Sequence, residues 1–234
     1  MPHASRSFLA IIGAILLGGG LFLDPQRAAA AIVIDDFTQG ALVQSATNYA
    51  GATALQTGLN PASTLGGTRL VYAGSLKLAE ESIETGKGRF HFTANQDYGY
   101  FKLDWGSVAP LSINLSAGGN NRFLLELVDT TPNFSAAILE LRVKCGNTWF
   151  NYDFKNDLAS ALGGQTFGLL NIPFAKFAGA NFTQVQALEL SAARVPAGLH
   201  LGIDYFSVVP EPTAPALFSL AILGAGLSHR RNCH

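Results

Sequence analysis

Two short stretches of the chain combine aromatic rings with carboxylate and amide side chains, which is the combination that binds sugars. The first carries Tyr98, Tyr100 and Trp105, and the second carries Trp149 and Tyr152. A pyranose packs its apolar C–H face on such rings, while neighbouring Asp and Asn side chains accept hydrogen bonds from its hydroxyl groups. These aromatic residues are therefore predicted to be a glycan-binding platform, although strand alternation turns some of the rings inward.

Three aspartates, Asp35, Asp36 and Asp204, lie on the first and last strands that the sequence predicts. Converging carboxylates of this kind are hard oxygen ligands for Ca²⁺, which takes six to eight oxygens. The alternative is that these aspartates solvate strand edges or cap turns. The sequence does not reveal enough further ligands to complete a calcium site, and no other cofactor is predicted.

No catalytic constellation stands out in the sequence. The five histidines lack metal-binding spacing, no G-x-S-x-G motif occurs, and Cys145 has no evident activating partner. Carboxylate pairs such as Asp97 with Asp104, or Glu140 with Asp153, leave a glycosidase open as an alternative. The prediction is that the chain is not an enzyme.

Length, composition and charge limit the classes of protein to which this chain can belong. The chain has 234 residues, of which 48% are hydrophobic and only 13% charged, and its formal net charge is −1. This length suits one domain with terminal extensions. Without a basic field to hold a phosphate backbone, nucleic-acid binding is not expected.

Short runs of alternating apolar and polar residues fill the region between residues 32 and 209. In residues 138–144, for example, Leu139, Leu141 and Val143 share one face, whereas Glu140, Arg142 and Lys144 share the other. Glycine-rich turns separate these runs, and no amphipathic helical segment of convincing length appears. The predicted strands are 32–37, 68–72, 89–92, 99–103, 111–115, 123–128, 137–144, 148–154, 167–170, 185–190 and 199–208. This pattern predicts an all-β, two-sheet antiparallel sandwich.

The N-terminal 31 residues have the pattern of a signal peptide. Arg6 precedes an uncharged apolar stretch over residues 8–23, and four alanines at 28–31 offer small residues to a signal peptidase. The alternative is a membrane anchor, but the stretch is shorter than the roughly 20 residues of a spanning helix and contains glycines.

The C-terminal residues 210–234 form a second unusual segment. Pro210, Glu211 and Pro212 hold the backbone extended, and they precede a short apolar helix predicted over residues 214–227. Arg230 and Arg231 follow as a cytoplasmic stop signal for an inserting segment. This order of parts resembles the PEP-CTERM sorting signal of Gram-negative bacteria. The resemblance implies transient membrane insertion and removal of the tail by exosortase, an integral-membrane protease. A plain tail anchor is the alternative.

The intervening domain, residues 32–209, carries looser motifs. It begins with Ile34-Asp35-Asp36-Phe37, contains Leu65-Gly66-Gly67-Thr68-Arg69, and ends with Ile203-Asp204-Tyr205-Phe206. Together these are similar to galactose-binding-like and carbohydrate-binding jelly rolls, which often precede PEP-CTERM tails. The resemblance implies a jelly-roll fold with its first and last strands side by side and, in some such modules, a structural calcium.

These features predict a protein exported across the inner membrane to the cell surface or the extracellular matrix. We expect association with exopolysaccharide or biofilm, and glycan binding by the aromatic platform. Two alternatives stay open: a secreted glycan-active hydrolase, and a purely structural matrix component without a small ligand.

Overall fold

The computed structural model describes residues 31–46, 51–75, 81–85, 88–95 and 98–211. These residues form two antiparallel sheets, one of seven strands and one of six, packed face to face. The predicted all-β jelly-roll sandwich is confirmed. No helix within the described ranges is long and apolar enough to cross a membrane.

The seven-stranded sheet contains both ends of the described chain. Its strands are β1 Ile32–Asp35, β2 Leu42–Ala46, β5 Glu81–Thr85, β6 Phe90–Ala94, β8 Asn120–Val128, β11 Gly168–Pro173 and β13 His200–Pro210. They follow the order β11-β8-β13-β6-β5-β2, and β1 pairs with β13 beyond the end of β6. The first and last strands are therefore neighbours, as the resemblance to jelly rolls implies.

The six-stranded sheet forms the other layer. Its strands are β3 Ala52–Gln56, β4 Arg69–Ser75, β7 Gly99–Trp105, β9 Ile138–Cys145, β10 Thr148–Asp153 and β12 Val185–Val195. They follow the order β10-β9-β12-β7-β4-β3. The longest of these strands, β12, lies inside the sheet, between β9 and β7.

Alternating side chains build the core between the sheets. In β9, Leu139, Leu141 and Val143 are buried, whereas the polar residues between them are only half-buried. In β7, the apolar side chains at every second position, 101, 103 and 105, are likewise buried. The period of two therefore sends one face of each strand into the core and leaves the other for the outer surface.

A buried ion pair ties the first strand to the six-stranded sheet. Arg69 Nη1 donates to Asp35 Oδ2 at 2.7 Å, and both side chains are fully buried. The indole N–H of Trp105 donates to the same carboxylate at 2.8 Å, and the backbone N–H of Phe37 donates at 2.9 Å. The guanidinium also donates to Gln56 and to the carbonyl of Gln39. This network satisfies polar groups that would otherwise be costly inside a core.

The structure differs from the sequence-based prediction in three places. A helix, α1 (Lys155–Leu162), appears where no helix was predicted, because Leu158 and Leu162 face the core one turn apart and Gly163 ends the helix in the left-handed conformation. Strands β2, β3 and β5 were not predicted, since polar and small residues dominate them. Residues 111–115 form one isolated bridge, between Ile113 and Val185, rather than a strand.

Most of both terminal segments lies outside the described residues. This applies to residues 1–30 of the predicted signal peptide, to the apolar segment 214–227, and to Pro212, Arg230 and Arg231 of the predicted sorting signal. Pro210 is the last residue of β13, and Glu211 forms an ion pair with Arg122 at 2.9 Å.

Candidate functional site

The outer face of the six-stranded sheet carries a row of polar side chains that cross-strand pairing brings together. One line across the strands runs Asn151, Arg142, Glu189, Asp104 and Leu70, each directly opposite the next. The adjacent line runs Asp153, Glu140, Ser191, Lys102 and Tyr72. We refer to the outward-facing residues of these two lines, with Tyr100 and Trp149, as the polar face.

Glu189 is the centre of an ion-pair network on this face. Arg142 Nη1 donates to Glu189 Oε1 at 2.9 Å, and Lys102 Nζ lies 3.7 Å from Glu189 Oε2. The Glu189 side chain is 9% exposed, whereas Lys102 is 28% and Arg142 33% exposed. Each cation therefore keeps part of its surface available to a ligand while Glu189 fixes its position.

Asp104 lies beside Glu189 and is also nearly covered. Its carboxylate accepts a hydrogen bond from the backbone N–H of Ser107 at 3.0 Å. Burial raises the pKa of Asp104, and the neighbouring negative charge of Glu189 raises it further. Asp104 therefore takes up a proton more readily than an exposed aspartate does.

Two tyrosines lie at one side of the polar face. The Tyr72 and Tyr100 rings pack edge to face with centroids 5.2 Å apart. Tyr72 lies directly against the backbone of Gly51 and Gly74, where an added Cβ would overlap its ring and hydroxyl atoms. Burial raises the pKa of the Tyr100 hydroxyl, with a further contribution from Glu189. The Tyr100 hydroxyl is therefore a neutral hydrogen-bonding group at physiological pH.

Trp149 occupies the opposite side of the polar face on the edge strand β10. It lies directly opposite Lys144, and the guanidinium carbon of Arg142 is 4.8 Å from its ring centroid. The Lys144 ammonium is 6.0 Å from the same centroid. These cation–π contacts fix the orientation of the half-buried indole.

The structure separates the five aromatic residues that the sequence singled out. Tyr100 and Trp149 belong to the polar face. Tyr98 is exposed in the turn before β7 and lines a depression with Ala136, Arg194 and Pro196 at the end of that strand. Tyr98 and Arg194 both have the rare positive φ, at 71° and 56°.

Trp105 and Tyr152 occupy other environments. Trp105 is fully buried and packs on Phe206, so its ring has no surface on which a sugar could stack. Tyr152 faces α1, donates its hydroxyl hydrogen to Asp157 at 2.6 Å, and packs on Phe177. We therefore leave both residues out of the polar face.

The three aspartates suggested as calcium ligands each have other partners. Asp35 is enclosed by Arg69 and Trp105, and its pKa is raised by burial and held back by Arg69. Asp36 accepts hydrogen bonds from the N–H and hydroxyl of Thr38, whereas Asp204 pairs with Arg89 at 3.0 Å. Among the residues that the structure describes, no group of three or more His, Cys, Asp and Glu side chains is placed to hold a metal ion. Calcium binding stays a prediction.

Sequence reasoning missed Tyr72, Lys102, Arg142 and Glu189 as members of one site. In β4, the side of Tyr72 also carries Leu70 and Gly74, so alternation does not mark that side as polar. The alternation of β9 places Arg142 on a polar side, and this signal was available in the sequence. The pairing of β9 and β7 with β12 was not, because it joins strands that lie far apart in the chain.

Comparison with known proteins identifies similar structures only. No protein-family profile and no curated protein sequence matches this chain. The family 11 carbohydrate-binding module of a cellulosomal cellulase from Clostridium thermocellum is 11% identical, with a TM-score of 0.40, and the match covers 78% of this chain and 96% of that one.

A second similar structure is an exo-1,3/1,4-beta-glucanase from a Pseudoalteromonas species, at 15% identity and a TM-score of 0.41. That match covers 79% of this chain but 21% of the glucanase. A structure of carbohydrate-binding modules from the beta-sandwich superfamily has 10% identity and a TM-score of 0.32, over 70% of this chain and 58% of that one. At this level of similarity, the matches do not indicate that this chain binds the ligands of these proteins.

Proposed function

We propose that this chain is a non-catalytic carbohydrate-binding protein that holds a polysaccharide on the polar face. The observation that carries the proposal is the arrangement of Tyr72, Tyr100 and Trp149 around the network centred on Glu189. The aromatic rings supply surfaces for the C–H faces of sugar rings. The charged groups between them supply donors and acceptors for sugar hydroxyls.

The size of the face suits an oligosaccharide better than a single sugar. Trp149 lies on β10 and Tyr72 on β4, with β9, β12 and β7 between them. Four strand spacings of about 4.8 Å separate these two residues by roughly 20 Å in the direction across the strands. A chain of several sugar units, lying across the strands, would contact both sides of the face.

The polar face is also held in position before a ligand arrives. Both oxygens of Glu189 are next to cations, the Tyr72 ring lies against two glycines, and Arg142 packs on Trp149. Side chains that are already ordered lose little conformational entropy on binding. A face that is ordered before binding therefore binds a ligand more tightly than the same residues would if they were flexible.

The proposal is tested by affinity electrophoresis of the full chain through gels that contain soluble neutral and acidic polysaccharides. Tyr72→Ala, Tyr100→Ala and Trp149→Ala should each reduce the retardation. A stacking contact contributes about 0.5–1.5 kcal/mol, which corresponds to roughly a 2- to 13-fold loss in affinity. Phe167→Ala is the matched control, since Phe167 is 63% exposed and lies before β11 on the other sheet. Equal retardation of all four variants and the parent would contradict the proposal.

We further propose that the protein is exported and that its tail is a sorting signal. The support is the sequence of residues 1–31 and 210–234, and the proposed polysaccharide binding is consistent with a location outside the cell. Intact-mass analysis of the protein from its host, with and without the candidate exosortase, tests this. Loss of both ends is expected in the parent strain, and a retained tail in the deletion strain. Survival of His234 in the parent strain would contradict tail removal.

A glycan hydrolase is the second candidate function, favoured by the pair Asp104 and Glu189. The two residues lie directly opposite each other on β7 and β12, and burial raises the pKa of Asp104. Glycosidases use two carboxyl groups, one of which has a raised pKa and acts as the general acid. Of the pairs suggested by the sequence, Glu140 lies opposite Asp153, whereas Asp97 is outside the described residues. Release of reducing sugar by the parent chain, abolished in Asp104→Asn, would replace the binding proposal with this one.

A further inference from the structure

Two histidines, His91 and His200, stand side by side on the outer face of the seven-stranded sheet. His200 is opposite Thr93, and His91 is opposite Gly202, so the two are diagonal neighbours on β6 and β13. Their ring centroids are 5.9 Å apart, with 34° between the planes. They are the two histidines of the described part of the chain, since the other three, His3, His229 and His234, lie outside it.

His91 lines a depression of about 440 Å³ on the sheet opposite the polar face. The depression is lined by Glu84, Gly88, Arg89, His91 and Asp204. Arg89 is held between Asp204 at 3.0 Å and Asp129 at 2.9 Å, so its charge is offset. With Glu84 directly opposite His91, the surroundings carry more acidic than basic groups and favour a cation.

A neutral imidazole has a free lone pair on one ring nitrogen, and that lone pair coordinates metal ions. The hydroxyl of Thr93 lies 3.5 Å from His91 Nδ1, at the limit of a hydrogen bond.

We propose that His91 and His200 together bind one late first-row divalent metal ion at the surface of the seven-stranded sheet. Two imidazoles that coordinate one ion at ~2.0–2.1 Å have ring centroids roughly 5–6 Å apart, which the pair already satisfies. Among the described residues, no third His, Cys, Asp or Glu side chain is placed with this pair, so water would complete the coordination. The order of affinity should follow Cu²⁺ above Ni²⁺ and Zn²⁺.

The test is calorimetric titration of the full chain with CuCl₂, NiCl₂ and ZnCl₂, with MgCl₂ as a non-binding control. His91→Gln and His200→Gln should each lose one equivalent of Cu²⁺ or weaken it at least tenfold. The double variant His229→Gln/His234→Gln is the matched control, because it removes tail imidazoles and should retain that equivalent. Unchanged Cu²⁺ binding in the two site variants would overturn the proposal, as would its loss in the tail variant.

A second measurement does not depend on the variants folding. Cu²⁺ is paramagnetic, so substoichiometric Cu²⁺ added to the parent chain should selectively broaden the imidazole proton signals of His91 and His200. Sharp signals from both histidines at one equivalent of Cu²⁺ would overturn the site. Neither experiment involves a glycan, so the result is independent of the proposed function.

Discussion

The buried ion pair between Asp35 and Arg69 allows a quantitative test of how the sandwich is held together. Asp35→Asn keeps the shape of the side chain but removes its charge. The Arg69 guanidinium, which is fully buried, then loses its counter-ion and keeps only neutral acceptors: Gln56 and the carbonyls of Gln39 and Gly40. Breaking one side of a buried pair typically costs about 3–5 kcal/mol.

This loss is large compared with the total free energy of unfolding of a domain. Domains are stable by about 5–15 kcal/mol, so Asp35→Asn should remove roughly a fifth or more of the free energy of unfolding. For a domain of this size, the midpoint of thermal unfolding should fall by roughly 6–20 °C. Urea denaturation followed by tryptophan fluorescence measures the change, because Trp105 donates to the same carboxylate.

Two further variants make the result specific. Asp36→Asn is the matched control: it changes the next residue, whose carboxylate accepts exposed hydrogen bonds from Thr38, and it should cost less than about 1 kcal/mol. The double variant Asp35→Leu/Arg69→Met should be less damaging than the sum of its single changes, since it leaves no unpaired buried charge. A loss below about 1 kcal/mol in Asp35→Asn, or full additivity in the double variant, would refute this reasoning.

Three other changes have defined outcomes. Gly74→Ala should displace the Tyr72 ring while the fold is retained, because the new Cβ would lie 2.7 Å from that ring. Glycan binding, measured by titration, should weaken severalfold, and unchanged binding would remove Tyr72 from the site. Thr130→Val should lower the free energy of unfolding by about 1–3 kcal/mol in urea denaturation, since the buried hydroxyl donates to the Gly202 carbonyl and accepts from the Gly202 N–H. An unchanged free energy of unfolding would show that water replaces the hydroxyl. Burial raises the folded-state pKa of Asp104 above its ordinary value of 3.8, so its contribution to stability is fully present below that pH and is lost as pH rises through the folded-state pKa. Stability curves against pH should therefore be flatter above pH 3.8 in Asp104→Asn, and identical slopes in both proteins would contradict the assignment.

The fold was predictable where strands alternate clearly and not where they lack apolar residues. The pattern of β9 identifies both its faces, and the neighbouring positions of β1 and β13 followed from the resemblance to jelly rolls. Strands β2, β3 and β5 consist largely of Ala, Ser, Thr, Gln and Glu, and they form because partner strands offer backbone hydrogen bonds. Such strands depend on tertiary context more than on local propensity.

The site was predictable only in part. The period of two already separates Tyr100 from Trp105, since positions 101, 103 and 105 share the apolar side of β7. The same rule places Trp149 and Tyr152 on opposite sides of β10. The contacts that Glu189 makes with its two cations were beyond sequence reasoning, because they require the order of β9, β12 and β7 in the sheet.

The central claim is that a polysaccharide lies on the polar face, and hydroxyl-radical footprinting with mass spectrometry tests it most directly. The full chain is oxidised alone and with an oligosaccharide of the polysaccharide that retards it in gels, and side-chain modification is compared residue by residue. Our account predicts protection of Tyr72, Tyr100 and Trp149, with no change at the exposed Phe167 and Leu169 of the other sheet. Protection confined to the seven-stranded sheet, or no protection at saturating oligosaccharide, would contradict it.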